Sequence, residues 1–269
     1  MKRIKETVQS LNQLIKNKSS AMFKNYLKIA FRNFRKNKAF TFINIFGLAV
    51  GLASCLLIML YIFDESSYDK HHKDGDRLFR IASISNKAET WAAAAAPLAF
   101  TLKDNLPEVE QATRLMTFPD VAKMLLKYES GSEKKQFFES NGYYVDSTFF
   151  QLFTYDFIYG NAATALNEPN SLVISEEISH KFFGKINPVG KPLLINTPFG
   201  EFNYTVKAVF DGSKYKSHIP ASYFLSMHNN DMWNWVQQQT TLVGNNIFFT
   251  YIKIKKGVDT KLAERKIQS

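Results

Sequence analysis

From residue 39 to residue 63 the chain runs AFTFINIFGLAVGLASCLLIMLYIF, and no position in that run is charged. As a helix, 25 residues at about 1.5 Å each reach roughly 37 Å, against a bilayer hydrocarbon core of about 30 Å. The run therefore predicts one membrane-spanning helix. Ahead of it, residues 22–38 read MFKNYLKIAFRNFRKNK. Met22, Phe23, Tyr26, Leu27, Ala30, Phe31 and Phe34 recur at spacings of three and four, and Lys24, Lys28, Arg32, Arg35 and Lys36 lie mostly off that stripe. That spacing predicts an amphipathic helix whose basic face suits the surface of a membrane. Residues 2–19 carry a weaker helical pattern through Ile4, Val8, Leu11 and Ile15. It fits either a short helix or an unstructured extension, with Met22 as an alternative start.

Beyond residue 64 the period switches repeatedly between two and 3.6. Arg77–Ser85 alternates like a strand, and Ala92–Asn105 reads as an alanine-rich helix stopped at Leu106-Pro107. Val109–Thr117 is a second strand. Val121–Glu129 and Lys135–Val145 flank Ser130-Gly131-Ser132, which predicts a hairpin. A short helix follows over Ser147–Phe153, with Ser147 as its cap. Ser171–Ser175 reads as a buried strand and Glu176–Phe183 as a helix closed by Gly184. Lys191–Asn196 and Glu201–Phe210 pair across a turn at 197–200, Asn246–Lys255 is a further strand, and Val258–Gln268 begins a helix. Strands and helices in this mixture predict an α+β domain built from split βαβ units. The expected organisation is a basic segment over 1–38, a membrane helix over 39–63 and a domain over 64–269.

Charge sets the expected orientation. Residues 1–38 hold 11 of the 34 Lys and Arg residues but one of the 24 acidic ones, Glu6; the remaining 23 of each sign cancel beyond residue 38. The net charge of +10 thus sits on one flank of the span, which predicts a cytoplasmic N-terminus and a domain on the far side. A nucleic-acid partner is not expected, because anionic lipid beside the span accounts for the basic excess. The apolar run is too long for a signal-peptide core and has no small-residue cleavage pattern at its outer end. Cys55, the one cysteine, lies within it, so no intrachain disulfide is available. Gly47 and Gly51 form a G-x-x-x-G spacing that lets two membrane helices approach closely.

Signatures of chemistry fail one by one. Residues 184–191 resemble a phosphate-binding loop, but the spacing is off by one and Pro192 stands where Ser or Thr would ligate magnesium. Fitting Gly75 to the sixth position of a calcium loop puts Lys70 and Ile81 at its ligating ends. His180, His218 and His228 are scattered, and no G-x-S-x-G elbow appears. Glu176 and Glu177 suit a helix start rather than acid–base work. The stretch 69–76, rich in His and Asp, reads as a solvated connector. No catalytic residue, metal or cofactor is expected.

Several linked motifs resemble the MacB/FtsX-like ABC-transporter permeases in their Bacteroidetes-type form. The run N-Y-L-K-I-A-F-R-N-F-R-K-N-K into F-I-N-I-F-G-L-A-V-G looks like the family's opening. Asp64-Glu65-Ser66-Ser67-Tyr68-Asp69, then His71-His72 and Asp76-Arg77-Leu78-Phe79-Arg80, look like the start of the MacB-like periplasmic core domain. Tyr144-Val145-Asp146, Glu168-Pro169-Asn170-Ser171 and Asn187-Pro188-Val189-Gly190-Lys191 look like its later signatures. The resemblance implies a non-enzymatic permease subunit in the inner membrane. Its partners would be a separate cytosolic ABC ATPase, a second permease copy, membrane lipid and a periplasmic adaptor. The family continues with three more membrane helices, so the expectation is a fragment or a truncated permease. The other readings are a membrane-anchored binding or scaffold module that works as it stands, and an enzyme of cell-envelope chemistry.

Overall fold

The structure, a computed structural model, describes residues 22, 25–26, 28–84, 90–118, 121–131, 133–242 and 244–268, with the backbone alone at 230 and 231. Contacts divide the chain into two compact units after Ser66. In the first, residues 28–36 form helix α1. Asn37 makes a bend (φ −114°, ψ 58°), and α2 runs from Lys38 to Glu65. None of the residues of α2 is buried, and the helix is long and apolar enough to cross a membrane. Ser54 satisfies its hydroxyl internally, on the Val50 carbonyl at 2.9 Å. That is what a polar side chain needs where no water is at hand.

The second unit is a mixed sheet with helices on its faces. Its strands are β1 (Leu78–Ile81), β2 (Ser83–Ile84), β3 (Thr90–Trp91), β4 (Val109–Met116), β5 (Lys123–Ser130), β6 (Glu133–Ser140) and β7 (Gly142–Val145). Then come β8 (Phe157–Tyr159), β9 (Ser171–Ser175), β10 (Pro192–Thr197), β11 (Gly200–Phe210), β12 (Tyr223–Ser226) and β13 (Phe249–Ile254). The helices are α3 (Leu98–Asn105), α4 (Phe149–Leu152), α5 (Glu176–Phe183), α6 (Asn230–Gln238) and α7 (Thr260–Gln268). The main sheet has the order β1-β13-β4-β7-β12-β9-β11-β10-β5-β6, with β8 beside the end of β11.

The split βαβ expectation holds at the β1 end. β1 and β4 both pair antiparallel with β13, which lies between them, and α3 makes the crossover. A second crossover, through α5, brings β11 parallel to β9. Alternation then sorts the core into layers. Leu172 and Ile174 of β9, Tyr223 and Leu225 of β12, and Tyr144 of β7 join α5 and α6 on one face. Val173, Phe224 and Val145 join α4 on the other. Ile252 and Ile254 of β13 with Ala99, Leu102 and Ala263 make a separate cluster under α3 and α7. In β11 the alternation slips at a register shift between Val206 and Ala208, so Val206 and Val209 face one core and Ala208 the other.

Several sequence expectations are corrected. The helix expected over 92–105 begins only at Leu98. Ala94, Ala95 and Ala96 are buried in extended or turn backbone, with Ala94 bridging to Phe248 and the Ala96 carbonyl accepting from Arg114. The strand expected over 135–145 is two strands. Asn141, at φ 59°, breaks it, and Gly142 follows because a Cβ there would lie 2.3 Å from the Tyr223 ring. Ser147 does not cap α4; its cap position is Thr148, whose hydroxyl instead binds the Ala112 carbonyl at 2.7 Å.

The junction between β1, β13 and β4 and the rest of the sheet is narrow. β4 and β7 share two residue pairs, Leu115 with Val145 and Met116 with Tyr144. Beside it Arg114 and Asp146, 4% and 7% exposed, form a bidentate pair. Nη2 reaches Oδ1 at 2.8 Å, and Nε reaches Oδ2 at 3.0 Å. Asp146 Oδ2 also accepts the Arg114 backbone N–H at 2.7 Å, and Nη1 donates to Ala96 O at 3.0 Å. The guanidinium lies 4.7 Å from the Phe100 ring centre.

Removing one partner of such a pair leaves a buried charge uncompensated, at a cost of about 3–5 kcal/mol. Arg114→Met and Asp146→Leu should each lower the unfolding free energy of the full chain by that amount, obtained from urea denaturation followed by tryptophan fluorescence. The double variant should lose clearly less than the sum of the two.

Candidate functional site

Chemistry in this chain concentrates where the polypeptide enters the second unit. The connector over 69–76 is only partly solvated: Lys70, Lys73, Gly75 and Asp76 are exposed, while Asp69, His71, His72 and Asp74 pack on the domain. Asp69, at φ 58°, is held in the left-handed region by what its side chain and amide do. Its amide donates to Lys216 O at 3.0 Å, and its Oδ1 accepts from Ser217 Oγ at 3.0 Å and His218 N at 3.1 Å. Its Oδ2 lies 2.6 Å from His218 Nδ1. His218 Nε2 in turn meets the Tyr251 hydroxyl at 2.8 Å. Burial pushes the Asp69 carboxyl up, but the bonds and charge of His218 outweigh it and hold it below its ordinary value.

His72 is buried, and its Nδ1 accepts the Thr154 amide at 3.1 Å. Its ring meets Phe153 edge-on at 5.1 Å and His71 at 4.0 Å. Burial lowers its pKa to about 4, with the neighbouring His71 acting in the same direction. His71 stacks on Tyr215 at 4.5 Å.

Next along the chain stands a closed ring of four alternating charges. Asp74 Oδ1 binds Arg77 Nη2 at 2.5 Å, and Arg77 Nη1 binds Glu110 Oε2 at 2.6 Å. Glu110 Oε1 binds Lys253 Nζ at 3.0 Å, and Lys253 returns to Asp74 Oδ2 at 2.7 Å. Arg77 also donates to Ile254 O at 2.8 Å. Hydrogen bonds from Lys253 and Arg77 hold Asp74 down at about 2, and the bond Lys253 donates to Asp74 raises Lys253. The ring ties the leading segment to β4 and β13 together.

A cavity of about 520 Å³ opens outside the carboxyl ends of the parallel pair β9 and β11, beside the start of α5. Tyr68, His71, Tyr155, Phe210, Tyr215 and Glu177 are among its walls. Such a crevice is a common place for a ligand in a sheet with parallel strands. Here the walls mix both signs of charge and select no one class of ligand.

The site residues named from sequence lie apart from this cluster. Lys28, Arg32, Arg35 and Lys36 are exposed on α1, while Lys24 lies outside the described residues. A Cβ added at Gly47 or Gly51 would meet nothing within 4 Å, so the G-x-x-x-G face is open in the single chain. Gly184, at φ 66°, ends α5, and the loop after it turns into β10 with no phosphate-loop geometry. Glu176 and Glu177 open α5, where Ser175 Oγ accepts the Ile178 amide at 3.3 Å. His180 is exposed beside Glu176, and His228 packs edge-on to Trp233 at 5.1 Å. Among the described residues, no three His, Cys, Asp or Glu side chains converge as metal ligands. Sequence reasoning missed Asp74, Arg77, Glu110 and Lys253 as a constellation. Arg77 entered only as the start of a strand and a letter of the family motif, and Asp74 only as part of the connector. The signal that pairs them, β4 with β13, spans over 130 residues.

Comparison with known proteins follows the fold. The chain covers 82% of a domain ascribed to a permease protein from Porphyromonas gingivalis, with 72% of this chain aligned, 20% identity and a TM-score of 0.57. It also matches the periplasmic region of MacB from Actinobacillus actinomycetemcomitans (16% identity, 71% of this chain, 78% of that one, TM-score 0.46). The extracellular domain of the noncanonic ABC-type transporter YknZ from Gram-positive bacteria matches at 16% identity, over 69% of this chain and 86% of that one, with a TM-score of 0.43. A comparison with curated proteins finds no match. The family model described as "MacB-like periplasmic core domain" matches residues 41–269, most of the chain. The chain belongs to the MacB-like periplasmic core domain family, among the MacB/FtsX-like ABC permeases.

Proposed function

We propose that this chain is a permease subunit of an ABC exporter, with a cytoplasmic N-terminus in the inner membrane and its domain in the periplasm. A separate cytosolic ATPase supplies the energy, a second permease copy completes the pair, and a periplasmic adaptor receives the domain. The observation that carries the reading is the leading segment. α2 ends at Glu65, and four residues later Asp69 is fixed to the loop at 216–218, with the charge ring following at Asp74. A short, doubly anchored connection passes motion of the helix to the domain instead of absorbing it. The exposed cations Lys28, Arg32, Arg35 and Lys36 suit the inner lipid surface beside the span. Residues 1–38, 39–63 and 64–269 are then a membrane-surface segment, the span and the working domain.

Orientation is tested by cysteine labelling in a Cys55→Ala background. Ser130→Cys should react with a membrane-impermeant maleimide in intact spheroplasts. Asn33→Cys should react only after permeabilisation, and the reverse pattern overturns the proposal.

Copy-to-copy packing is tested at the small-residue face. Gly47→Leu and Gly51→Leu should weaken self-association in membranes by about 1–2 kcal/mol, the scale of helix association there. Leu48→Ile and Val50→Leu should leave crosslinking yields unchanged. Insertion should persist in all four, since each keeps the span apolar. Unchanged association in the glycine variants would remove the packing face from the proposal.

A further inference from the structure

Residues 71–73 are held on the domain through His72 by a contact that tolerates one protonation state. The Thr154 amide donates to His72 Nδ1, so that nitrogen carries no proton and the ring proton sits on Nε2. Nε2 is buried without a hydrogen-bond partner, its nearest carboxylate oxygen being Asp69 Oδ1 at 3.6 Å. A second proton on this ring has one place to go, Nδ1. There it would face the Thr154 N–H, donor against donor, inside a slot closed by Phe153 and His71.

The surroundings do not compensate. On its own segment His72 faces Asp69 and His71. From the 215–218 loop it faces His218, which already occupies the Asp69 carboxylate. Tyr251 of β13 closes the far side of His218, and Arg80 of β1 and the cations Lys70 and Lys73 line the same crevice with Asp76. Asp156 lies near His71, but Lys214 is paired to it.

We propose that His72 and the Thr154 amide form a proton-operated latch, which holds residues 71–73 on the domain while His72 is neutral and releases them when acid charges it. The Lys73 amide, bound to Thr154 Oγ1 at 3.1 Å, lets go with it. The sign follows from linkage. The held state keeps His72 down near 4, whereas a released imidazole titrates at its ordinary value near 6.5. Between those values the released state binds the extra proton, so falling pH favours release and rising pH restores the latch. The charge ring stays closed through that window, because its carboxylate Asp74 is held near 2. Asp69 stays clasped to the loop at 216–218, so release frees residues 71–73 between two fixed points, Asp69 and Asp74. The latch depends on the geometry of the domain alone, and stands or falls separately from the proposed orientation and ATPase partner.

Hydrogen exchange of the full chain in detergent, corrected for the intrinsic pH dependence of exchange, tests it. From pH 7.5 to pH 5.0, peptides covering 67–76 and 151–156 should lose about tenfold in protection, while β9 keeps its own. His72→Gln offers Thr154 an acceptor that cannot be charged, so its protection should be flat across that range. His218→Gln should keep the fall, because it leaves the His72 contact in place. A flat wild type, a fall shared by β9, or an undiminished fall in His72→Gln would each overturn the latch. If His72→Gln does not protect β9 at pH 7.5, the His218→Gln arm decides. Loss of the fall there transfers the sensor to His218 and refutes the proposal, and its retention supports His72.

Discussion

The domain depends on one buried ion pair at its narrowest point. Two subsheets meet through two residue pairs of β4 and β7, too little backbone to fix their relation. Arg114 and Asp146 supply what the ladder lacks, joining β4, the end of β7 and the Ala96 carbonyl in one set of hydrogen bonds. The pair is shielded from solvent and flanked by Phe100 and Phe248, so neither water nor salt competes for it. Desolvating two charges is expensive, and the net stabilisation of such a pair is small. Its value lies in selecting one geometry, since any slip between the subsheets would strand a charge in an aromatic pocket.

The leading segment works by different electrostatics. The ring of Asp74, Arg77, Glu110 and Lys253 is partly exposed, and single surface ion pairs contribute little. Here each charge has two partners of opposite sign, so no side chain is ordered for one contact alone. The ring joins strands distant in sequence to a segment adjacent to the membrane helix. Asp69 adds a second anchor of another kind, in which hydrogen bonds from Ser217 and His218 sustain an unfavourable backbone angle.

Much of this was legible in the sequence, and the failures share a cause. The apolar run, the strands at 109–116, 171–175 and 249–254, and helix α5 with its Gly184 stop follow from local period and turn chemistry. β8, β12 and α6 carry no local period strong enough to predict them, and the alanine run has a helical propensity that tertiary packing overrides. Tyr223–Ser226 is buried on both faces and carries no alternation to detect. Ala94–Ala96 have high helix propensity, yet the Phe248 bridge and the Arg114 guanidinium hold them out of a helix. The His and Asp residues of 69–76 looked solvated because they are polar. Their partners, at 154, 218 and 253, are far along the chain and come together only in the fold.

That the strand pairing with β4 arrives more than 130 residues later bears on how the chain is made. Met116 and Phe249 bracket most of the large subsheet, and closing so long an interval carries a large loop entropy before any contact rewards it. Emerging N-terminal first, β1, α3 and β4 must wait with an apolar surface uncovered while the intervening strands assemble. Only then does β13 slot between β1 and β4. The group of β1, β4 and β13 is therefore the last to consolidate during synthesis. Interrupted or slowed translation leaves that part open to aggregation and proteolysis while the rest is already folded.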